Sequence, residues 1–203
     1  MTRIIGGRAG GRRLRTPPGS RTRPTSDRVR EALFSSVESA LGSLQGLRVL
    51  DLYAGSGAVG LEAWSRGASE VTLVEQDRRT AGVVTANAKV LGCTGVDVVC
   101  GAVARHLADT PRAPYELVFL DPPYSLATEA VVADLAALAR GWLAEDALVV
   151  VERAARDRGL TWPPGFDPGR VRRYGETSLS SATWRGDGFG TVATPPPYSS
   201  EEP

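Results

Sequence analysis

An α/β fold, a mostly parallel sheet with helices on both faces, is predicted for this chain by three observations. Along residues 47–152 short apolar runs alternate with longer segments of helical spacing, the order that strands and crossover helices produce. The runs Val71-Thr72-Leu73-Val74, Leu117-Val118-Phe119-Leu120 and Leu148-Val149-Val150-Val151 are continuous, as in strands covered on both sides. The first run, Leu47–Tyr53, leads into Ala54-Gly55-Ser56-Gly57-Ala58-Val59-Gly60 and then a helical pattern, the strand–turn–helix unit on which such sheets bind ligands.

The elements follow in order. Residues 1–24 are read as a basic arm and loop. Arg3–Ile5 and Arg12–Arg15 flank a glycine-rich turn, so a β-hairpin with exposed basic residues is expected. Ile4, Ile5 and Leu14 give it apolar side chains to pack, and Pro17-Pro18-Gly19 ends it. Residues 25–185 form the main domain, led by a helix over 25–42. Thr25 or Ser26 caps that helix, and Val29, Leu33, Val37 and Leu41 recur at helical spacing. It is expected to pack at the sheet edge and close over the ligand. Strands Leu47–Tyr53, Glu70–Glu75, Val96–Gly101, Tyr115–Leu120 and Ala147–Glu152 then alternate with helices Ala58–Arg66, Arg78–Leu91, Val103–Ala108 and Ala127–Gly141. Arg170–Thr177 and Leu179–Arg185 read as a hairpin at the sheet edge. Residues 186–203 are rich in Gly, Pro and Ser, and disorder is expected there.

The formal charge of +1 hides an asymmetry: the first thirty residues hold nine arginines against Asp27 alone, so the remainder is net acidic. A cationic arm on an otherwise acidic chain points to a nucleic-acid partner, through Arg3, Arg8, Arg12, Arg13, Arg15, Arg23 and Arg28. Arginine suits phosphate forks and base stacking, although Lys89 is the only lysine and a codon bias contributes. No apolar run is long enough to span a membrane, and the start lacks an apolar signal core, so a cytoplasmic protein is expected; a monomer without bound metal is a separate expectation. Cys93 and Cys100 have no metal-ligand spacing and are expected to be small buried residues. The single histidine, His106, is expected at the surface or half-buried.

Chemistry is expected at the carboxyl ends of the strands, where the strand order reverses. Asp51, Glu75, Gly101-Ala102 and Asp121 all fall at such ends. Gly55, Gly57 and Gly60, with Glu75 on the next strand, also satisfy a dinucleotide fingerprint. Asp51 before the glycines argues against a pyrophosphate and for a cationic ligand. Glu75 can accept both hydroxyls of a ribose; Tyr53 lies in the turn, and Gln76 and the backbone of Ala102 can border an adenine. In Asp121-Pro122-Pro123-Tyr124 the Asp121 carboxylate and the Pro122 carbonyl can each accept an N–H of an aromatic amine. The two prolines stiffen the loop, and Tyr124 offers a ring to an unstacked base.

Asp51-x-x-x-Gly55-x-Gly57 together with Asp121-Pro122-Pro123-Tyr124 resembles the motif pair of S-adenosylmethionine-dependent amino-methyltransferases. Arg3-Ile4-Ile5-Gly6-Gly7, Gly11-Arg12-Arg13-Leu14 and the run from Arg23-Pro24-Thr25-Ser26-Asp27-Arg28 to Phe34 narrow the likeness. With them the chain resembles the bacterial 16S ribosomal RNA guanine-N2 methyltransferases, the RsmD-like family, from about residue 3 to 184. The resemblance implies a Rossmann-like class I methyltransferase with a seven-stranded sheet and S-adenosyl-L-methionine as cofactor. It further implies a guanine of small-subunit rRNA as substrate, in an assembled or assembling 30S particle, with the hairpin holding RNA. Three other readings remain open: a DNA amino-methyltransferase, a non-catalytic nucleic-acid-binding protein, and a nicotinamide oxidoreductase. Removal of residues 1–16 is expected to spare cofactor affinity but to abolish RNA binding and flatten its salt dependence.

Overall fold

The computed structural model describes residues 2–16, 27–157 and 159–186. The loop after Thr16, Arg23, the helix caps Thr25 and Ser26, and the tail from residue 187 lie outside the described residues.

Seven strands make one sheet. The parallel ones are β3 (Arg48–Leu52), β4 (Glu70–Glu75), β5 (Val96–Cys100), β6 (Tyr115–Leu120) and β7 (Leu143–Ala154). The hairpin β8 (Phe166–Tyr174) and β9 (Thr177–Trp184) completes the sheet, with β9 antiparallel to β7. The spatial order is β5-β4-β3-β6-β7-β9-β8, so the order reverses between β3 and β6, where the crevice for a ligand opens. The helices are α1 (Asp27–Leu41), α2 (Ala58–Ser65), α3 (Arg78–Leu91), α4 (Val103–His106) and α5 (Thr128–Leu138).

Alternation along the strands feeds two cores. On one face Val49, Leu73, Leu117, Phe119, Leu148 and Val150 pack with α1, α2 and α3. On the other, Leu50, Leu52, Val118, Leu120, Val149 and Val151 pack with α4 and α5. Strand β7 begins four residues before the expected Ala147, because the chain pairs through an irregularity at Asp146, which adopts φ +60. Polar Glu145 and Asp146 disguise that extension in the sequence.

The arm forms the expected antiparallel hairpin with exposed arginines. Its strands β1 (Thr2–Arg3) and β2 (Arg13–Leu14) are two residues each, joined through a single 3-10 turn at Gly7–Ala9. Ile4, Ala9 and Leu14 belong to the same core cluster as Leu33 and Phe34 of α1 and Trp64 of α2. Polar contacts pin it as well. Glu62 on α2, with no solvent exposure, accepts the N–H groups of Ile5 (2.7 Å) and Gly6 (2.8 Å). Asn87 on α3 accepts from the Arg15 N–H and donates to the Arg15 carbonyl, each at 2.9 Å. The physical reason is accounting of backbone groups: a two-residue ladder leaves N–H groups unpaired, and α2 supplies their acceptor.

Candidate active site

The glycine turn forms at the carboxyl end of β3. Tyr53 takes φ +63, a left-handed conformation that is costly for a residue with a Cβ. Its hydroxyl donates to Asp134 Oδ2 on α5 at 2.5 Å, so the side chain anchors the turn to that helix. Gly55 also has positive φ, and a Cβ placed there meets only its own turn, 3.9 Å from the Tyr53 oxygen. Gly57 is held by its neighbours: a Cβ would lie 2.6 Å from Val84 Cγ1 of α3. At Gly60 a Cβ would lie 2.7 Å from Leu73 Cδ2. Thus Gly55 leaves room on the open side, whereas Gly57 and Gly60 let α2 settle against β4 and α3.

Two expected cofactor acids are already oriented by backbone. Asp51, 2% exposed, accepts the Gly60 N–H through Oδ2 at 2.8 Å. Glu75 accepts the Gly55 N–H (2.9 Å) and the Asp77 N–H (2.7 Å), one on each oxygen. The N–H of Gly60, at the start of α2, therefore serves to aim Asp51. Each Glu75 oxygen keeps a second lone pair for hydroxyl donors. Burial pushes Asp51 up to about 7 despite the Gly60 hydrogen bond, and the Glu75 charge adds to the rise. Gln76 and Ala102 are both exposed, at the ends of β4 and β5 beside this crevice.

Asp121 follows β6 and continues its line, its N–H donating to the Leu52 carbonyl at 3.3 Å. Burial holds its carboxyl well above the usual range, with the charges of Glu152 and then Asp51 adding to the effect. Pro122 is buried, Pro123 is exposed with its carbonyl engaged by the Leu126 N–H at 2.8 Å, and Tyr124 is 47% exposed. The structure therefore brings Asp51, Gly55, Glu75 and Asp121 to one crevice, with the Tyr124 ring facing solvent at its rim.

The arginines divide. Arg28 is exposed on the first turn of α1. Arg8 stacks over Trp64, 4.2 Å from the ring centroid, and donates to the Trp64 carbonyl. Arg12 donates to the Val90 carbonyl at 3.1 Å. Trp64 and Val90 lie near the carboxyl ends of α2 and α3, at the end of the sheet away from the crevice. Arg3 pairs with Asp27, and Arg13 and Arg15 are exposed. Cys93 is half-buried, but Cys100 is exposed, contrary to expectation, because β5 is an edge strand. His106 is half-buried, with its ring 4.8 Å from that of Trp142. Among the described residues no group of three or more His, Cys, Asp or Glu is arranged to hold a metal, and no helix is long and apolar enough to cross a membrane.

Four buried charged residues escaped the sequence reading: Glu62, Asp134, Glu152 and Arg153. A signal existed for two of them. Glu62 interrupts Leu61-Glu62-Ala63-Trp64, and Asp134 falls at helical spacing with Val131, Leu135 and Leu138. A carboxylate on an apolar stripe has a partner.

The family model described as "Conserved hypothetical protein 95" matches residues 2–183. The chain belongs to that family. Ribosomal RNA small subunit methyltransferase D of Escherichia coli K12 is 36% identical over 176 residues, covering 87% of this chain and 86% of that protein. The protein of that name from Haemophilus influenzae is 34% identical, covering 81% and 84%. A solved Escherichia coli structure superposes with TM-score 0.78 at 34% identity, covering 91% of this chain and 98% of that one. The family match thus spans the docked arm, the glycine turn, the Asp121 loop and nearly all of the β8–β9 hairpin.

Proposed function

We propose that this chain is an S-adenosylmethionine-dependent methyltransferase acting on the exocyclic N2 amine of a guanine in small-subunit rRNA. The observation that carries the reading is the placement of Asp121-Pro122-Pro123-Tyr124 beside Asp51 and the glycine turn, on a chain whose relatives are small-subunit rRNA methyltransferases.

The residues suit the cofactor. Asp51 is a buried carboxylate whose charge is disfavoured until a cation arrives, and an amino-acid ammonium is such a cation. Glu75, fixed by two N–H groups, suits a ribose diol, and Gly55 leaves the backbone approachable. Bound there, S-adenosylmethionine supplies a methyl on a cationic sulfur, which keeps the S–C bonding pair when the methyl leaves. The chain's part is positioning. Asp121 and the Pro122 carbonyl each accept one N–H of the amine, which turns its lone pair toward the methyl to form the new C–N bond. Asp121 is the group placed to receive the proton the amine loses. Tyr124 stacks on the extruded base, contributing about 1–3 kcal/mol.

The test is methyl transfer from labelled cofactor to small ribosomal subunits lacking the modification, with the product nucleoside identified by mass spectrometry. N2-methylguanosine is expected from the wild type and none from Asp121→Ala, which keeps its cofactor affinity. An active Asp121→Ala enzyme, or a methylated base other than guanine, would overturn the reading. Faster turnover on duplex DNA would favour a DNA amino-methyltransferase.

A further inference from the structure

We infer that Glu152 determines base specificity, by accepting the N1–H of the guanine whose N2 amine Asp121 holds; this rests on the guanine-N2 reading above.

The placement comes from strand register. β6 and β7 are parallel, with Leu120 opposite Val151. The next residues, Asp121 and Glu152, therefore stand side by side at the carboxyl ends of the two strands. Alternation puts them on the same face: Phe119 and Val150, two residues earlier on each strand, both pack in the core beneath α1. Neighbouring strands lie roughly 4.8 Å apart. Glu152 is 8% exposed, so its carboxylate belongs to the crevice rather than to bulk water. Its charge is the leading electrostatic influence on Asp121, ahead of that of Asp51. The Thr177 hydroxyl lies 3.5 Å from Glu152 Oε1 and holds the side chain from the β9 side. A carboxylate has about four lone-pair positions and can accept from several donors at once.

The chemistry of the base gives this pair its meaning. Guanine presents two adjacent donors on its Watson–Crick edge, N1–H and the N2 amine. Adenine and cytosine present a ring acceptor beside their exocyclic amine. One acceptor, Asp121, can hold any of the three amines. A second acceptor beside it matches guanine alone and opposes a ring nitrogen lone pair in the other two. Sites built around such a hydrogen bond reject analogues lacking it far more strongly than apolar pockets do. The sequence motif Asp-Pro-Pro-Tyr does not separate guanine from adenine; the carboxylate on the neighbouring strand does.

The experiment compares small subunits carrying guanine or 2-aminopurine at the methylated position. 2-Aminopurine keeps the N2 amine but has an acceptor at N1. Wild-type enzyme should methylate guanine with kcat/KM at least about 100-fold higher. Glu152→Gln should lower kcat/KM on guanine roughly 10- to 100-fold. Because a glutamine amide can turn to donate to N1, it should also bring the two bases within about tenfold of each other. Calorimetric cofactor affinity should not change. An unchanged base ratio in Glu152→Gln overturns the assignment. Equal wild-type rates on the two bases also overturn it and need no variant to fold. No N2-methylguanosine from the wild type on natural subunits instead overturns the underlying reading, and the assignment with it.

Discussion

Glu62 Oε2 stands 3.9 Å from Arg30 Nε with both side chains closed to solvent. Around this pair Arg66 donates to Glu62 at 2.9 Å, and Arg30 donates to the Arg3 carbonyl and to Asp27. Burial lowers the Arg30 pKa, and Glu62 is the first of the charges opposing that fall. The same carboxylate holds Ile5 and Gly6 of the arm. Glu62→Ala therefore removes the carboxylate facing Arg30 Nε, the partner of Arg66 and the acceptor of two backbone N–H groups at once. A loss of about 3–5 kcal/mol is expected, the range for breaking one side of a buried pair. Urea unfolding should show a lower midpoint. Removal of residues 1–16 should act in the same direction, because it exposes Glu62 and takes Ile4 and Leu14 from the core. The truncated chain is expected to lose stability as well as RNA binding.

Asp51 gives the protein a pH signature. Its carboxyl is raised from 3.8 to about 7 in the fold, chiefly by burial. Between those values the folded state holds a proton that the unfolded chain has released. The contribution of Asp51 to stability is therefore fully present below about pH 4 and is lost as pH rises toward 7. Asp121, also raised, adds to the decline. Asp51→Asn keeps an acceptor for the Gly60 N–H and removes this titration. The variant should show a flatter dependence of urea midpoint on pH between 4 and 7, and greater stability at pH 7. It should bind S-adenosylmethionine at least tenfold more weakly. Wild-type binding at pH 6.5 should release protons, seen as a dependence of calorimetric enthalpy on buffer ionisation.

The parallel strands were legible because burial on both faces leaves an unbroken apolar run, and β4, α3 and β6 begin and end where the pattern does. Asp51, Glu75 and Asp121 were legible because a carboxylate ending such a run stands at the crevice by construction. Glu152 was not, although it also ends a run. Its meaning depends on β7 lying beside β6 with Leu120 opposite Val151, a pairing no local pattern encodes. The docking of the arm was not legible for a related reason. Its exposed arginines and glycines are local facts, while the acceptor that docks it, Glu62, is some 56 residues away in sequence.

The glycines of the turn should separate fold from ligand. Gly57→Ala drives a Cβ to 2.6 Å from Val84 and also forces φ +75 on a residue with a side chain. Strain of about 1–2 kcal/mol from the backbone adds to about 1–3 kcal/mol from overpacking. Gly55→Ala meets no neighbour and carries the backbone term alone. Its methyl, however, occupies the open side of the turn. Thermal unfolding should rank Gly57→Ala well below Gly55→Ala, whereas cofactor affinity of Gly55→Ala should fall at least tenfold. A Gly55→Ala protein with wild-type affinity would mean that the ligand approaches elsewhere.

Arg8, Arg12, Arg13, Arg15 and Arg28 are all exposed, so RNA binding should follow which guanidiniums the protein already holds, and not the number of arginines. Arg8 spends its guanidinium on Trp64 and the end of α2, and Arg12 reaches Val90 at the far end of the sheet. Arg13, Arg15 and Arg28 are exposed. Arg8→Ala should therefore cost stability by removing the stacking on Trp64, about 0.5–2 kcal/mol, with little change in the salt dependence of RNA binding. The triple variant Arg13→Ala, Arg15→Ala, Arg28→Ala should fold normally. It should reduce the slope of log affinity against log salt by about 2–3, near one unit for each phosphate that is no longer neutralised. Filter binding to small-subunit RNA across a salt series measures both. An unchanged slope in the triple variant, or a large fall in Arg8→Ala, would place the RNA on the opposite end of the molecule.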